Sequence, residues 1–452
     1  MRQSKFFVAV VLTSSLILIF FYSSLNLQET NRQRPFAEVV DSGPPRGPIN
    51  VPVLSQNASV AASLVYQDIT NTPTPKPMAN TKQRQSEIFP VLISSSFRQA
   101  ILHSNGYWKR RQHRLLEQID SGVLGTMGVT TVENKNKEML GRSYCSMASE
   151  EELRINIQDF GSYPALYQDF LRGMECRDPP ILIDQPDKCA PEDHGGRTFL
   201  LFAIKSVPKN FERRQVVRQT WGQEGLHEGG MRVRTVFLLG RPPPVDPDLA
   251  ALLTFEAQHF GDILQWDFQE SLYNLSLKEN AFLVWAVRRC PRVSFIFKGD
   301  DDVFANTPAM LAYLLSLPRV KADKLYAGHV VTNASPFRDA KSKYYVPQTF
   351  YEGGYPAYAG GGGFVFSGSL LGPLLRLSQF IPFFPIDDVY TGMCFQALGI
   401  APEAHKGFQT FDIREQDRGN ACAHRNLIVV HQRSPQQTLQ LWKDMHSPLL
   451  TC

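Results

Sequence analysis

The sequence predicts an α/β fold, a Rossmann-type sheet with covering helices, placed after a membrane anchor and a flexible stem. Near the N-terminus, residues 6–22 form a largely apolar run, and residues 28–90 are rich in Pro, Ser, Thr, Asn and Gln. From Thr198 onward, short apolar runs alternate with amphipathic segments, which is the pattern of strands and covering helices. The chain has 452 residues, 43% of them hydrophobic, enough for one large core with appendages.

The apolar run near the N-terminus predicts a single membrane crossing. Arg2 and Lys5 precede it, and it extends to Leu25; about 20 residues give a helix of about 30 Å, which spans a bilayer. A cleaved signal peptide is the alternative, but the run is long and ends in bulky side chains. The basic N-terminal flank indicates a cytosolic tail at 1–5, a signal-anchor at 6–25 and a lumenal remainder, a type II topology.

The lumenal part divides by composition into three segments. We predict a disordered stem at residues 26–96, a folded lead-in with three cysteines at residues 97–190, and the main domain at residues 191–452. N-x-S sequons at Asn57, Asn274 and Asn333 agree with a glycosylated lumenal protein.

Charge and cysteine content limit the partners and the compartment. The net charge of +4 is small and the basic residues are spread out, so we expect no nucleic-acid partner. The seven cysteines contain no C-x-x-C pair, which favours disulfides in an oxidising compartment over a zinc site and leaves one thiol over.

The main domain begins with a regular succession of elements. Its pattern alone indicates a parallel sheet. We predict strands at 198–204, 233–239, 263–268, 293–297 and 364–366, and helices at 210–221, 248–259, 276–289 and 389–398.

Three aspartates, Asp300, Asp301 and Asp302, follow the predicted strand 293–297. Ligands of open α/β sheets bind at the carboxyl ends of strands. Adjacent carboxylates repel one another unless a cation lies among them, and a hard divalent ion can link carboxylates to a diphosphate. The alternative is a solvated acidic turn with an aspartate capping the helix after Thr307-Pro308.

Two further candidates have ordinary structural explanations. Asp387 and Asp388 open a predicted helix, where carboxylates commonly cap or stabilise the first turn, although a carboxylate there can also act as a general base. His431 ends an apolar run at 427–430; it is either a core histidine or a metal ligand.

The residues around the acidic triplet resemble the signature of the β-1,3-glycosyltransferase family (glycosyltransferase family 31). The resemblance spans about Tyr107 to Cys452 and excludes the stem. It is carried by the ordered segments 182–189, 213–221, 273–278, 297–304, 355–363, 386–394 and 405–412.

This resemblance implies a GT-A-like mixed sheet and an inverting reaction. It implies that Asp302 and His431 bind Mn²⁺ or Mg²⁺, that Asp388 is the catalytic base and that Asp387 holds it in position. Other implied donor contacts or neighbours of the metal are Asp300, Asp301, Arg214, Arg218, Lys278, Lys298, Glu352, Tyr355, Gly361 and Gly362. The family pattern also suggests disulfides Cys145–Cys176 and Cys394–Cys422.

The motifs most resemble family members that extend poly-N-acetyllactosamine. We therefore expect inverting transfer of GlcNAc from UDP-GlcNAc to the 3-hydroxyl of a terminal β-galactose on glycoproteins or glycolipids. Such enzymes are held in the Golgi membrane by one N-terminal helix, and some form homo- or hetero-oligomers with other glycosyltransferases. The alternatives are a UDP-galactose-dependent β-1,3-galactosyltransferase, a non-catalytic glycan-binding relative and an aspartyl phosphotransferase using Asp300 and Asp302.

Overall fold

The computed structural model describes residues 93–101, 104–121, 147–190, 197–242 and 246–452. The predicted tail and anchor at 1–25, and the predicted stem up to residue 92, lie outside these ranges. Within the described ranges, no helix is both long and apolar enough to cross a bilayer.

The described chain alternates helices and strands. The strands are β1 (Ile181–Ile183), β2 (Thr198–Lys205), β3 (Gly225–His227), β4 (Met231–Arg241), β5 (Ile263–Gln269), β6 (Phe295–Asp300), β7 (Val303–Ala305), β8 (Tyr326–Val331), β9 (Tyr358–Ser367), β10 (Glu403–Ala404), β11 (Phe408–Gln409) and β12 (Val429–His431). The α-helices are α1 (Ser95–Ile101), α2 (Tyr107–Asp120), α3 (Glu150–Asn156), α4 (Ala165–Gly173), α5 (Phe211–Gln219), α6 (Pro247–Phe260), α7 (Leu275–Arg289), α8 (Thr307–Ser316), α9 (Arg319–Ala322), α10 (Leu371–Ser378), α11 (Asp387–Ala397), α12 (Ala421–His424) and α13 (Pro435–Met445).

The main sheet runs in the order β1-β5-β4-β2-β6-β9-β8-β10, with β3 paired to β4. Strands β5, β4, β2 and β6 are parallel, and β9 runs antiparallel between β6 and β8. Strand β2 lies at the centre and is buried almost throughout, as expected of a parallel strand covered on both faces. The predicted strands and helices are confirmed, and so is the mixed sheet that the family resemblance implied.

The alternation of strands and helices did not predict the antiparallel strand. The predicted strand at 364–366 is longer than expected, because the four glycines at 360–363 also lie inside β9. A Cβ on Gly363 would come within 2.9 Å of Val429, so the absence of side chains allows a second layer to pack closely.

That second layer is a small sheet of β11, β12 and β7. Strand β12 pairs antiparallel with β7, which places His431 opposite Val303. Because β7 follows the acidic triplet directly, this pairing fixes His431 beside the end of β6.

The helices before β2 share the core of the main sheet. Trp108 on α2 is buried, and its indole N–H donates to the carbonyl of Pro382 at 3.0 Å. Tyr167 on α4 packs edge-to-face against Phe350, with ring centroids 5.5 Å apart. The predicted lead-in therefore packs against the sheet along its described parts.

The predicted Cys394–Cys422 disulfide is wrong. Cys394 is a free thiol buried on α11, whereas Cys422 bonds to Cys452 near the C-terminus. Because a sulfur forms one disulfide, the bond from Cys422 to Cys452 leaves Cys394 as the unpaired thiol. A further disulfide, Cys189–Cys290, joins segments 101 residues apart, and the proposed partner of Cys176, Cys145, lies outside the described residues.

Candidate functional site

The site is built where β2 and β6 end side by side. Their register pairs Lys205 with Asp300, so both side chains lie on the same face of the sheet. The Lys205 Nζ lies 3.1 Å from Asp300 Oδ1 and 2.7 Å from Asp387 Oδ2, and donates to the Gly361 carbonyl at 3.3 Å. Lys205 is buried, and these carboxylates raise its pKa well above the ordinary value although burial acts to lower it.

Lys205 is a residue that sequence reasoning missed. The available signal was a lysine closing an otherwise apolar strand, because burying an ammonium group requires nearby anions. It joins Asp300, in the acidic triplet, to Asp387, at the start of α11, and so connects two motifs that lie far apart in sequence.

The middle aspartate of the triplet is held by protein donors. Asp301 is buried and accepts hydrogen bonds from Ser206 Oγ at 2.6 Å and Asn210 Nδ2 at 2.9 Å. Arg213 lies 3.1 Å from both Asp301 and Asp302. Asp301 therefore fixes the segment between β2 and α5 beneath the site.

Asp302 faces His431 across the two sheets. The Asp302 Oδ1 lies 3.4 Å from His431 Nε2, and His431 Nδ1 lies 3.0 Å from the Thr410 carbonyl. A hydrogen bond from Nδ1 to that carbonyl would leave Nε2 as the nitrogen with a free lone pair. The structure thus brings together the two residues predicted as metal ligands.

Asp300 completes a possible metal-binding cluster. Ligand atoms of Asp300, Asp302 and His431 all lie within 4.8 Å of one another. The Asp302 Oδ1 is buried and, apart from the 3.4 Å approach of His431 Nε2, has no hydrogen-bond partner among the described residues, so it is suited to bind a cation. Two carboxylates and an imidazole form a suitable donor set for Mn²⁺, and the carboxylates also suit Mg²⁺.

The contact between Asp302 and His431 favours the charged form of both side chains. Burial acts to raise the pKa of Asp302, but His431 and Arg213 outweigh it, so the pKa lies below its ordinary value. The same contact with Asp302 raises the pKa of His431. Asp300 behaves differently, because burial raises its pKa despite the nearby Lys205.

Asp388 lies in the first turn of α11, beside the glycine strand. Its Oδ1 accepts from the Val389 N–H at 2.9 Å, and its Oδ2 accepts from the Gly361 N–H at 3.2 Å. Burial and the charge of Asp387 raise the pKa of Asp388 to about 7. A carboxylate with a pKa near neutrality is suited to take a proton from an acceptor hydroxyl.

The glycines of β9 separate the base from the metal-binding cluster. A Cβ on Gly361 would lie 3.4 Å from Asp388, and one on Gly362 would lie 3.4 Å from His431. Side chains at these two predicted site positions would therefore contact Asp388 and His431 respectively.

Four predicted cationic donor contacts lie in buried ion pairs. Arg214 and Arg218 bind Glu256 at 2.7 and 2.8 Å. Lys278 lies 2.7 Å from Glu270, and Lys298 lies 2.9 Å from Glu279. Arg214 is fully buried, and its guanidinium also binds Ser206 Oγ and the carbonyls of Val207 and Pro208.

These pairs stabilise the walls behind the site rather than present free cations to a diphosphate. Arg213, with 35% of its side chain exposed, is the more accessible arginine beside the triplet. Of the two remaining predicted contacts, Glu352 accepts from the Asn105 N–H at 3.1 Å, and the Tyr355 Oη is buried without a partner among the described residues.

A parallel half-sheet ends at a cluster that could bind a metal ion, near an aspartate whose pKa is raised toward neutrality. Such an arrangement is suited to transfer of a sugar from a nucleotide. Comparison with known proteins agrees. Residues 212–406 match the family model described as Galactosyltransferase.

Three relatives from Homo sapiens extend this match. N-acetyllactosaminide beta-1,3-N-acetylglucosaminyltransferase 2 is 45% identical over 350 residues, covering 76% of this chain and 86% of that protein. Acetylgalactosaminyl-O-glycosyl-glycoprotein beta-1,3-N-acetylglucosaminyltransferase is 43% identical over 304 residues, covering 65% and 77%. UDP-GlcNAc:betaGal beta-1,3-N-acetylglucosaminyltransferase 8 is 38% identical over 388 residues, covering 84% and 91%. The chain therefore belongs to the β-1,3-glycosyltransferase family, glycosyltransferase family 31.

Proposed function

We propose that this enzyme transfers N-acetylglucosamine from UDP-GlcNAc to the 3-hydroxyl of a terminal β-galactose, extending poly-N-acetyllactosamine chains. The relatives named above are N-acetylglucosaminyltransferases, which supports GlcNAc as the donor sugar. The single observation that carries the mechanism is the position of Asp388, near but separate from the Asp300, Asp302 and His431 cluster.

In this proposal Asp388 removes the proton from the acceptor hydroxyl as that oxygen attacks the anomeric carbon. Its pKa of about 7 allows a substantial ionised fraction at neutral pH together with useful basicity. One direct displacement converts an α-linked donor into a β-linked product, so no enzyme nucleophile is required. Asp387, tied to Lys205 at 2.7 Å, fixes the first turn of the helix that bears the base.

Asp300, Asp302 and His431 would hold Mn²⁺ or Mg²⁺ near the donor diphosphate. When bound, the ion would neutralise the diphosphate and stabilise the leaving UDP. Arg213 and Lys205 fix the carboxylates beforehand, so that their mutual repulsion is already reduced when the donor arrives.

We also propose that the enzyme acts in the Golgi lumen as a single-pass type II membrane protein. The basic flank and apolar run at 2–25 support this topology. The disulfides Cys189–Cys290 and Cys422–Cys452 agree with an oxidising compartment.

The test is a donor panel with linkage analysis. The full chain, purified in detergent, is incubated with Mn²⁺, a β-galactose-terminated oligosaccharide and UDP-GlcNAc, UDP-galactose or UDP-GalNAc in turn. We expect a β-1,3-linked GlcNAc product, lost on chelation and in Asp388→Asn. Galactose transfer instead would assign the galactosyltransferase alternative, and glycan binding without any transfer would refute catalysis.

A further inference from the structure

A cavity of about 660 Å³ opens beside helix α2, outside the metal-binding cluster and Asp388. Four basic side chains line it: Lys109, Arg110, His113 and Arg114. Their spacing along α2 places them on one side of the helix. No acidic residue is among the described residues that line this cavity.

Acidic residues just outside the lining compensate the positive charge of this cavity only in part: Glu117 lies 3.3 Å from His113, and Glu352 accepts from Ser104 and Asn105 close to Lys109. The Arg110 guanidinium binds the carbonyls of Asn105 and Asn156, which are neutral partners. Neither Lys109 nor Arg114 forms an ion pair within the described part of the chain, although nearby residues form many. Positive charges in a concave surface concentrate the potential and attract anions.

The remaining polar walls suit a carbohydrate. Ser104, Asn105 and Asn156 contribute a hydroxyl and two amides, which can donate to and accept from sugar hydroxyls. The volume lies within the range of small-ligand sites. The cavity is open to solvent, so a sugar that carries a charged substituent can enter it while the rest of the glycan continues outside.

A smaller cavity adjoins this one. Its volume is about 220 Å³, it shares Ile101 and Lys109 with the larger cavity, and it is also lined by Tyr355. Burial is the main cause of the raised pKa values of Tyr355 and Tyr358, and the charge of Asp388 adds to both. Both phenols therefore lie within electrostatic reach of Asp388, and Tyr355 has an unpartnered Oη.

We propose that the larger cavity binds an oxyanion substituent, a sulfate ester or a carboxylate, on an internal sugar of the acceptor glycan. The terminal galactose then lies at Asp388, and the intervening sugars pass along the smaller cavity. This inference rests on the proposed function, since it assumes a glycan acceptor. Binding at the larger cavity makes the enzyme selective for anionic chains, although the basic side chains of that cavity do not contact the reacting atoms.

The test compares matched acceptors on the full chain. One acceptor is a neutral β-galactose-terminated tetrasaccharide, the second carries a sulfate ester on an internal sugar, and the third carries a carboxylate there. The variant is the double substitution His113→Gln and Arg114→Gln, on residues that line only the larger cavity. Its control is Arg319→Gln with Lys324→Gln, two exposed basic residues on and beside α9, which makes a comparable loss of charge elsewhere.

We expect the wild-type enzyme to use one anionic acceptor with about tenfold higher kcat/KM than the neutral one, mainly through KM, as two charge-assisted contacts would give. In the cavity variant this ratio should fall toward 1, and in the control variant it should persist. Added salt should reduce the ratio in the wild type. The sulfate and carboxylate arms show which oxyanion is preferred.

Direct binding separates failure of this inference from failure of the proposed function. Calorimetry on catalytically impaired Asp388→Asn protein should show tighter binding of the anionic glycan than of the neutral glycan, an advantage lost with the added cavity substitutions. Equal affinities for the neutral and anionic glycans, or an advantage that survives those substitutions, would overturn the cavity assignment. Absence of transfer to all three acceptors by the wild type would instead count against the proposed function.

Discussion

Asp388→Asn tests the proposed base through stability as well as turnover. Asp388 has a pKa of about 7 in the folded protein, against an ordinary aspartate value of 3.8. Between these values the folded state binds a proton that the unfolded state has released, so stability falls as pH rises. The contribution is complete below about pH 4 and is lost above about pH 7, the opposite of a salt-bridged aspartate.

The asparagine variant lacks this titration, so it should gain stability relative to the wild type as pH rises. From the two pKa values, the difference in unfolding free energy between the proteins should change by about 2 to 3 kcal/mol from pH 5 to pH 8. Asparagine offers one acceptor oxygen where the carboxylate receives both Gly361 and Val389. At pH 5 Asp388 is protonated, and the hydrogen bonds that favour its ionised form at pH 8 are already part of its pKa, so they add no further pH dependence to the comparison.

The assay is urea unfolding at pH 5 and pH 8, with chelator and without donor, in parallel with kcat measurements. Turnover should fall by about 100-fold to 10,000-fold, the usual contribution of a general base. Asp323→Asn, on the surface beside α9, is the control for removing a carboxylate. A stability difference that does not change with pH would refute the raised pKa, and near-normal kcat would refute the assignment of the base.

Three other substitutions test the supports of the site. Lys205→Met leaves Asp300 and Asp387 without their shared cation, so urea unfolding should show a loss of about 3 to 5 kcal/mol in unfolding free energy, and turnover should be lost as well. Lys205→Arg should retain more stability and more turnover. Unchanged stability in Lys205→Met would contradict the stabilising role of this ion pair. His431→Ala removes one ligand atom of the cluster and should raise the Mn²⁺ concentration for half-maximal activity by about tenfold or more; a superimposable metal titration would exclude His431 as a ligand. Cys189→Ser opens a disulfide between residues 101 apart and should lower unfolding free energy by about 2 to 5 kcal/mol, whereas an unchanged Tm would show that this disulfide contributes little.

The main sheet was predictable because its strands are buried on both faces. Such strands appear as continuous apolar runs, as at residues 198–204 and 233–239, and the helices between them keep amphipathic spacing. The antiparallel strand β9 was not predictable from pattern, because its glycines have a packing role against Asp388 and His431 that only the folded arrangement shows.

The site was predictable in its residue types and less so in its contacts. The strand-end rule located Asp300 and Asp302, but the tie from Lys205 to Asp387 depends on the register of β2 against β6. Similarly, the position of His431 depends on the pairing of β12 with β7. The sequence gave no indication that Arg214 would be buried in an ion pair with Glu256. An arginine in a sequence pattern is equally compatible with binding a ligand and with pairing inside the protein.

The distribution of cations over the acidic groups explains how the carboxylates can have different roles. Lys205 bridges Asp300 and Asp387, and Arg213 bridges Asp301 and Asp302. Asp388 receives only backbone N–H groups. With no cation in contact, its negative charge is opposed by burial and by Asp387, which is why its pKa is raised. Moving a cation onto Asp388 would therefore lower its basicity, so the exclusion of Lys205 and Arg213 from that carboxylate is itself a requirement of the proposed reaction.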